Sequence, residues 1–94
     1  MWYSVTVYQY GRGAILLDMQ ESEVQRLERE WENVWSGDWH DSFQRYDGRT
    51  SEAVEMVEEN GKHYWDEKMV SCHIKMNLNE ITGIEVHEAM EQGE

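Results

Sequence analysis

The sequence predicts a single α+β domain in which a small antiparallel sheet packs against one main helix and one short helix. Three patterns support this fold class. Both ends of the chain alternate apolar and polar residues as strands do, residues 19–36 have a helical period instead, and turn glycines separate the elements. A chain of 94 residues has material for one modest core, so the predicted domain covers residues 1–94. Strands at both ends with helices between them favour an α+β architecture.

The first element predicted is a β-hairpin. Residues 3–9 alternate between two faces as a half-buried strand does, and residues 14–19 form a second β-rich run. Gly11 and Gly13 supply the turn between them. The G-x-G spacing does not indicate a phosphate-binding loop, because that motif needs a third glycine and a following helix.

The main helix is predicted to follow the hairpin, at residues 19–36. At 100° per residue its apolar side chains fall in one stripe, which contains Val24, Leu27, Trp31, Val34 and Trp35. Gly37 is expected to end the helix, since glycine readily adopts the left-handed conformation of a helix C-terminus. We therefore expect Trp31 and Trp35 to be buried in the core.

The short helix is predicted at residues 51–60. Read as a helix, this stretch has one apolar face and one glutamate face, with Gly61 as its C-terminal cap. Asn60-Gly61 could instead be a hairpin turn. A strand would place Val57 on the same face as Glu55 and Glu59, and for this reason the helix is preferred.

The remaining elements are predicted to be strands. A short strand is expected around residues 43–46, before a turn at Asp47-Gly48. In the last third, residues 70–76 alternate as one strand and residues 81–87 as another. Residues 88–94 are predicted to fray as an acidic tail. These C-terminal strands complete the sheet that the N-terminal hairpin begins.

The charge balance is the strongest global signal. The chain has twenty acidic and eight basic residues, a formal net charge of −12. This charge repels nucleic acid and anionic membranes, and it favours protein partners with basic surfaces. The acids are concentrated in residues 18–41 and 47–67. The alternative interpretation is that they only keep a small protein soluble.

Rows of carboxylates on a folded protein can imitate the phosphates of a nucleic acid and occupy the basic groove that binds it. Trp39, flanked by acids, is the candidate anchor of such a contact, although it could also fold back over the sheet. The predicted partner-binding residues are Glu28, Glu32, Asp38, Trp39, Asp41, Glu52, Glu55 and Glu59.

No pattern in the sequence indicates catalysis, a metal site or a cofactor. The chain lacks the nucleophile-elbow, Walker and paired C-x-x-C motifs. Cys72 and His73 are adjacent in a predicted strand, so we expect their side chains to point to opposite faces. Cys72 is expected to be a small buried hydrophobe. A single cysteine, with no targeting segment and no apolar run of membrane-spanning length, predicts a reducing cytoplasm.

The small size, acidic composition, absence of proline and order of a β-hairpin before a helix are shared with a known class of proteins. Together with the closing stretch NLNEITGIEV, they give a chain that resembles small phage-encoded anti-defence inhibitors, including anti-CRISPR proteins and DNA mimics. The resemblance implies a non-enzymatic inhibitor in the host cytoplasm that binds the basic nucleic-acid-binding surface of a partner. It assigns no individual residue.

Two functions are therefore predicted. The first is this acidic inhibitor, which binds a protein and neither nucleic acid nor a membrane. The alternative is a structural or assembly module that self-associates, for example as a homodimer, through an exposed sheet edge and an aromatic loop. The two differ in salt dependence, because charge mimicry weakens steeply as ionic strength rises and apolar association barely responds.

Overall fold

A computed structural model describes residues 2–45 and 51–88, and it has the α+β fold class predicted from the sequence. The described residues form, in chain order, strands β1 (Trp2–Gln9) and β2 (Ile15–Gln20), helix α1 (Glu21–Ser36), strands β3 (Ser42–Arg45), β4 (Ser51–Glu59), β5 (Lys62–Met69) and β6 (His73–Asn77), a 3₁₀ turn (Leu78–Glu80) and strand β7 (Ile81–Glu88). The fold is mostly sheet.

The strands form two antiparallel sheets rather than the one predicted. The first has the order β2-β1-β7 and the second the order β3-β4-β5-β6. The N-terminal hairpin is confirmed, and Val7 pairs with Ile15 across it. Strand β7 returns to the other side of β1, where Val7 faces Ile84. The predicted joining of the hairpin to the C-terminal strands therefore holds for β7, whereas β6 belongs to the second sheet.

The main helix is confirmed, with a start two residues later than predicted. Residues 19 and 20 belong to β2, and the backbone N–H of Gln20 donates to the Glu23 carboxylate at 3.4 Å as the helix begins. Gly37 ends the helix as predicted, with a φ of 82°. Its N–H donates to the Asn33 carbonyl at 2.9 Å and so satisfies one of the last free carbonyls of the helix.

The predicted short helix at residues 51–60 is wrong, because this stretch is strand β4. Val54 and Met56 alternate toward the core, and a bulge between Ser51 and Ala53 adjusts the register so that Ser51 is buried as well. Asn60 and Gly61 then form a two-residue turn with φ of 53° and 77°. Both positive values are typical of a type I′ hairpin, the alternative that the sequence left open.

The strand predicted at residues 70–76 begins later than expected. Strand β6 starts at His73, and Cys72 lies in the turn from β5, where the Met69 N–H donates to the Cys72 carbonyl at 2.8 Å. Cys72 is exposed, so the prediction that it is buried is wrong. The short strand near residue 43 is confirmed as β3. The turn at residues 47–48 and residues 89–94 of the predicted tail lie outside the described residues, while Glu88 ends β7.

One cluster of buried apolar side chains joins the two sheets. Strand β1 contributes Val5 and Val7, the second sheet contributes Trp65 among others, and Leu27 of α1 and Leu78 of the 3₁₀ turn lie between them. Burial of this apolar surface is the main favourable term for folding, at roughly 25 cal/mol per Å² removed from water. The helix is therefore fixed on its core side and presents its opposite side to solvent.

Candidate functional site

The exposed side of α1 carries a row of carboxylates that ends in an exposed tryptophan. Glu21, Glu28 and Glu32 are exposed, and at 100° per residue they point within about 40° of one another. Trp35 points in nearly the same direction one turn further along. The buried residue Leu27 points about 120° away from Glu21 around the helix axis, on the core side. We call Glu21, Glu28, Glu32 and Trp35 the acidic face of α1.

Trp35 is the main correction to the predicted core. Its exposed fraction is 68 %, whereas Trp31 is half-buried and packs against the core. Val24 and Trp35 point in directions only about 20° apart around the helix axis. Because Val24 in the first turns is buried and Trp35 in the last turn is exposed, the fold does not cover this side of the helix near its C-terminus. Periodicity gave the direction of the side chain but not the extent of the core.

Glu28 and Glu32 have no ion pair or hydrogen bond to any of the described residues. With Trp31 and Trp35 they line a shallow concave site of about 340 Å³ on the helix surface. Like charges four residues apart on a helix are destabilising by a few tenths of a kcal/mol. The pair therefore contributes nothing to the stability of α1.

The connection from α1 to β3 holds three of the predicted partner-binding residues. Trp39 is half-buried against the core, and its ring meets that of His63 edge-on at 4.7 Å between centroids. It folds back over the sheet, which is the alternative given for it. Asp38 accepts a hydrogen bond from the Ser36 hydroxyl at 3.4 Å beside the helix end, and Asp41 is exposed. Trp39 is thus less accessible to a partner than Trp35.

The predicted acids of β4 lie on a different surface. Glu55 and Glu59 point away from the core, on the outer face of the second sheet, and Glu52 is exposed at the bulge. Glu59 pairs with Lys75 at 2.7 Å, and this contact holds the pKa of Lys75 above its ordinary value. Glu52 lies 3.9 Å from Lys68. Nearby lysines therefore offset part of the negative charge of β4, in contrast to the acidic face of α1.

The predicted site residues thus separate into three groups, on α1, in the connection from α1 to β3, and on β4. The structure places Glu28 and Glu32 beside Trp35, which the sequence reasoning assigned to the core. It places Glu52, Glu55 and Glu59 on a strand, not on the helix face predicted for them. No sequence signal distinguishes Trp35 from Val24, because the two point in nearly the same direction and only Val24 is buried.

Two further glutamates form a buried cluster near the start of α1. Glu67 is fully buried, and it accepts hydrogen bonds from the Trp65 indole at 2.7 Å and from the Ser51 hydroxyl. Glu23 is 2 % exposed, and its Oε2 atom has no hydrogen-bond partner among the described residues. Burial raises the pKa of Glu23, the Glu67 carboxylate raises it further, and the Gln20 amide and Ser51 hydroxyl lower it. No pattern in the sequence indicated that these two acids are buried.

A groove of about 540 Å³ crosses the outer face of the second sheet. Phe43, Cys72 and His73 are among the residues that line it, so Cys72 and His73 do not diverge as predicted for neighbours in one strand. The reason is that Cys72 precedes β6. The His73 ring contacts the Asp66 carboxylate. Within residues 2–45 and 51–88, no group of three or more His, Cys, Asp or Glu side chains is arranged to hold a metal ion.

Membrane-spanning potential and similarity to known proteins add little to the geometry. None of the helices in the described part of the chain is long and apolar enough to cross a membrane. No protein family, curated protein or solved structure matches the chain.

Proposed function

We propose that the protein is a non-enzymatic inhibitor that binds the basic, nucleic-acid-binding surface of a partner protein through the acidic face of α1. A phage-encoded anti-defence protein, such as an anti-CRISPR protein, is the biological setting that this proposal favours. The observation that carries it is the exposed Trp35 beside the carboxylates of Glu28 and Glu32, which have no partner among the described residues.

Charge and aromatic surface have separate tasks in this proposal. The acidic face extends about 21 Å from Glu21 to Trp35, at 1.5 Å per residue. Its three carboxylates are sparser than the phosphates of duplex DNA, which place one charge every 1.7 Å or so along the axis. They steer a basic partner toward the helix by long-range attraction. A solvent-exposed tryptophan supplies the apolar contact that slows dissociation.

The test compares two double variants that change the net charge equally. Glu28→Lys/Glu32→Lys reverses two charges on α1, and Glu52→Lys/Glu55→Lys reverses two on β4. The partner would first be captured from host lysate at about 0.05 M salt, and affinity then measured by displacement of a fluorescent DNA duplex from it. We expect the α1 variant to bind about 10- to 100-fold more weakly, mainly through slower association, and the β4 variant to bind within about 3-fold of the parent.

Two outcomes would contradict the proposal. If both double variants lose the same affinity, only net charge matters and the acidic face of α1 is not the binding surface. If the α1 variant binds as tightly as the parent and both remain folded, the inhibitor proposal fails. The affinity of the parent for its partner should also fall steeply between about 0.05 and 0.2 M salt, because carboxylates that take the place of phosphates bind through charge and salt screens that attraction.

A second candidate, a self-associating module, is favoured by one observation. Leu16 on β2, an edge strand among the described strands, is 71 % exposed, and Val70 in the turn after β5 is 66 % exposed. Both line a groove of about 530 Å³. An exposed apolar edge is a template for pairing with a second chain. This function predicts a dimer whose sedimentation hardly changes with salt and which Leu16→Asp dissociates.

A further inference from the structure

Four side chains on two turns of α1 form a cluster on the helix surface. Glu28, Trp31, Glu32 and Trp35 follow at positions i, i+3, i+4 and i+7, so all four project from one side of the helix. They line the concave site of about 340 Å³. We call these four residues the tryptophan cradle.

The chemistry of the cradle combines two features that cations prefer. The Trp31 and Trp35 indoles provide aromatic surface, and tryptophan attracts a cation over its ring face more strongly than tyrosine or phenylalanine does. Glu28 and Glu32 provide two carboxylates that the described structure leaves without a counterion. A cation bound here would meet aromatic surface and negative charge together.

An arginine side chain fits this chemistry better than a lysine. The guanidinium is planar, so it can stack on an indole and donate two parallel hydrogen bonds to one carboxylate. It is also more weakly hydrated than an ammonium and loses less on leaving water. The lysine ammonium is a compact charge that gains from the carboxylates but makes poorer use of the aromatic surface.

We propose that the tryptophan cradle binds one arginine side chain of a basic partner protein. This inference rests on the proposed function, which supplies a basic partner, and it names the group recognised within that partner. Trp31, packed against the core, holds the cradle in place, and the exposed Trp35 covers the arginine on the solvent side. The cradle thereby converts nonspecific charge attraction into a preference for one side chain.

The experiment uses two fluorescent peptides, hepta-arginine and hepta-lysine, of the same formal charge. Their affinities for the full chain are measured by fluorescence polarisation at about 0.05 M salt. We expect the parent to bind hepta-arginine about 3- to 10-fold more tightly than hepta-lysine, the range that an exposed to partly desolvated cation–π contact supports. Trp35→Ala should remove this preference by weakening hepta-arginine alone. Trp35→Phe should keep part of it.

Matched variants separate the cradle from general charge. Glu32→Gln removes one charge inside the cradle, and Glu59→Gln removes one on β4, where the carboxylate pairs with Lys75. Glu32→Gln should lower the arginine preference, whereas Glu59→Gln should weaken both peptides equally and slightly. Trp35→Ala should melt within a few degrees of the parent, because the side chain is exposed.

The inference is overturned if the parent binds both peptides equally, or if Trp35→Ala weakens both by the same factor. These results are distinct from failure of the proposed function. If the protein prefers the arginine peptide but does not displace DNA from any basic partner, the cradle is supported and the inhibitor proposal is rejected. Loss of partner binding in Glu28→Lys/Glu32→Lys without any arginine preference would support the inhibitor and reject the cradle.

Discussion

At the scale of single residues, the least expected feature is the carboxyl group of Glu23 inside the protein. An ionised carboxylate without full hydrogen bonding is costly to bury, and a second buried carboxylate nearby adds repulsion. Glu67 satisfies both of its oxygens through Trp65 and Ser51, whereas Glu23 Oε2 has no partner among the described residues. Protonation of Glu23 removes the charge that burial disfavours, so this carboxyl links stability to pH.

We expect Glu23→Gln to become more favourable relative to the parent as pH rises. The pKa of Glu23 is raised by burial above its ordinary value of 4.5, so the folded state binds the proton more tightly than the unfolded state does. The contribution of Glu23 is fully present below pH 4.5 and is lost as pH rises through the folded-state pKa. Glutamine is nearly isosteric and never ionises. The measurement is the urea midpoint of both proteins at several pH values between about 4 and 9.

Glu32→Gln serves as the control for removing one exposed carboxylate. A parent protein that gained stability over Glu23→Gln with rising pH would mean that Glu23 is stabilised as a carboxylate, and the expected direction would be wrong. Composition could not have predicted this cluster. Each of the twenty acids in the chain is expected at the surface, and only tertiary packing decides which of them are buried.

At the scale of elements, local signals predicted the structures that local interactions form. The N-terminal hairpin, α1 and its end at Gly37 follow from alternation, helical period and glycine chemistry, and all are confirmed. Strand β4 could not be predicted in the same way. Its glutamates favour a helix and its apolar residues fit a helical face, but pairing with β3 and β5 on either side outweighs this preference. Strand β5 was not predicted either.

The candidate site was likewise predictable only where local sequence determines the structure. Glu28 and Glu32 fall outside the apolar stripe predicted for α1 and both are exposed, because the direction of a helical side chain follows from its position. The exposure of Trp35 depends on where the core ends, and the exposure of Cys72 depends on where β6 begins. Both are consequences of tertiary packing that no window of the sequence contains.

The turn between β4 and β5 gives a sharp test of the corrected structure. Gly61 has a φ of 77°, whereas Gly13 in the β1–β2 turn does not have a positive φ, and neither glycine has a neighbour among the described residues that an added Cβ would touch. Gly61→Ala should therefore cost about 1–2 kcal/mol of unfolding free energy through backbone strain. Gly13→Ala should be neutral or stabilise slightly. Equal effects of the two substitutions on the urea midpoint would show that residues 60–61 are not in a type I′ turn.

At the scale of the whole molecule, the distribution of charge matters more than its total. The second sheet carries lysines that pair with the acids of β4, as in Glu59 with Lys75 and Glu52 with Lys68. The acidic face of α1 carries no such compensation from the described residues. Exposed ion pairs contribute little to stability. The lysines matter instead because they reduce the negative electrostatic potential of the β4 carboxylates. The carboxylates of Glu28 and Glu32 are therefore without an ion pair among the described residues, whereas those of Glu52 and Glu59 are compensated by lysines.

The last prediction is that both sheets unfold together. The buried cluster contains Val5 from the first sheet and Trp65 from the second, with Leu78 of the 3₁₀ turn among its fully buried members. Neither sheet could keep its apolar face buried without the other, so we expect a single two-state transition. Leu78→Ala should cost about 2–5 kcal/mol and lower the stability of both sheets equally. Leu16→Ala, at an exposed leucine, should cost no more than about 0.5 kcal/mol.

Amide hydrogen exchange measures directly whether the two sheets unfold together. Strands β1 and β4 should show the same opening free energy in the parent and the same loss of it in Leu78→Ala. Exchange in β1 that accelerates while β4 stays protected would mean that the sheets are separate cooperative units. The acidic face of α1 would then not be held rigidly over one core.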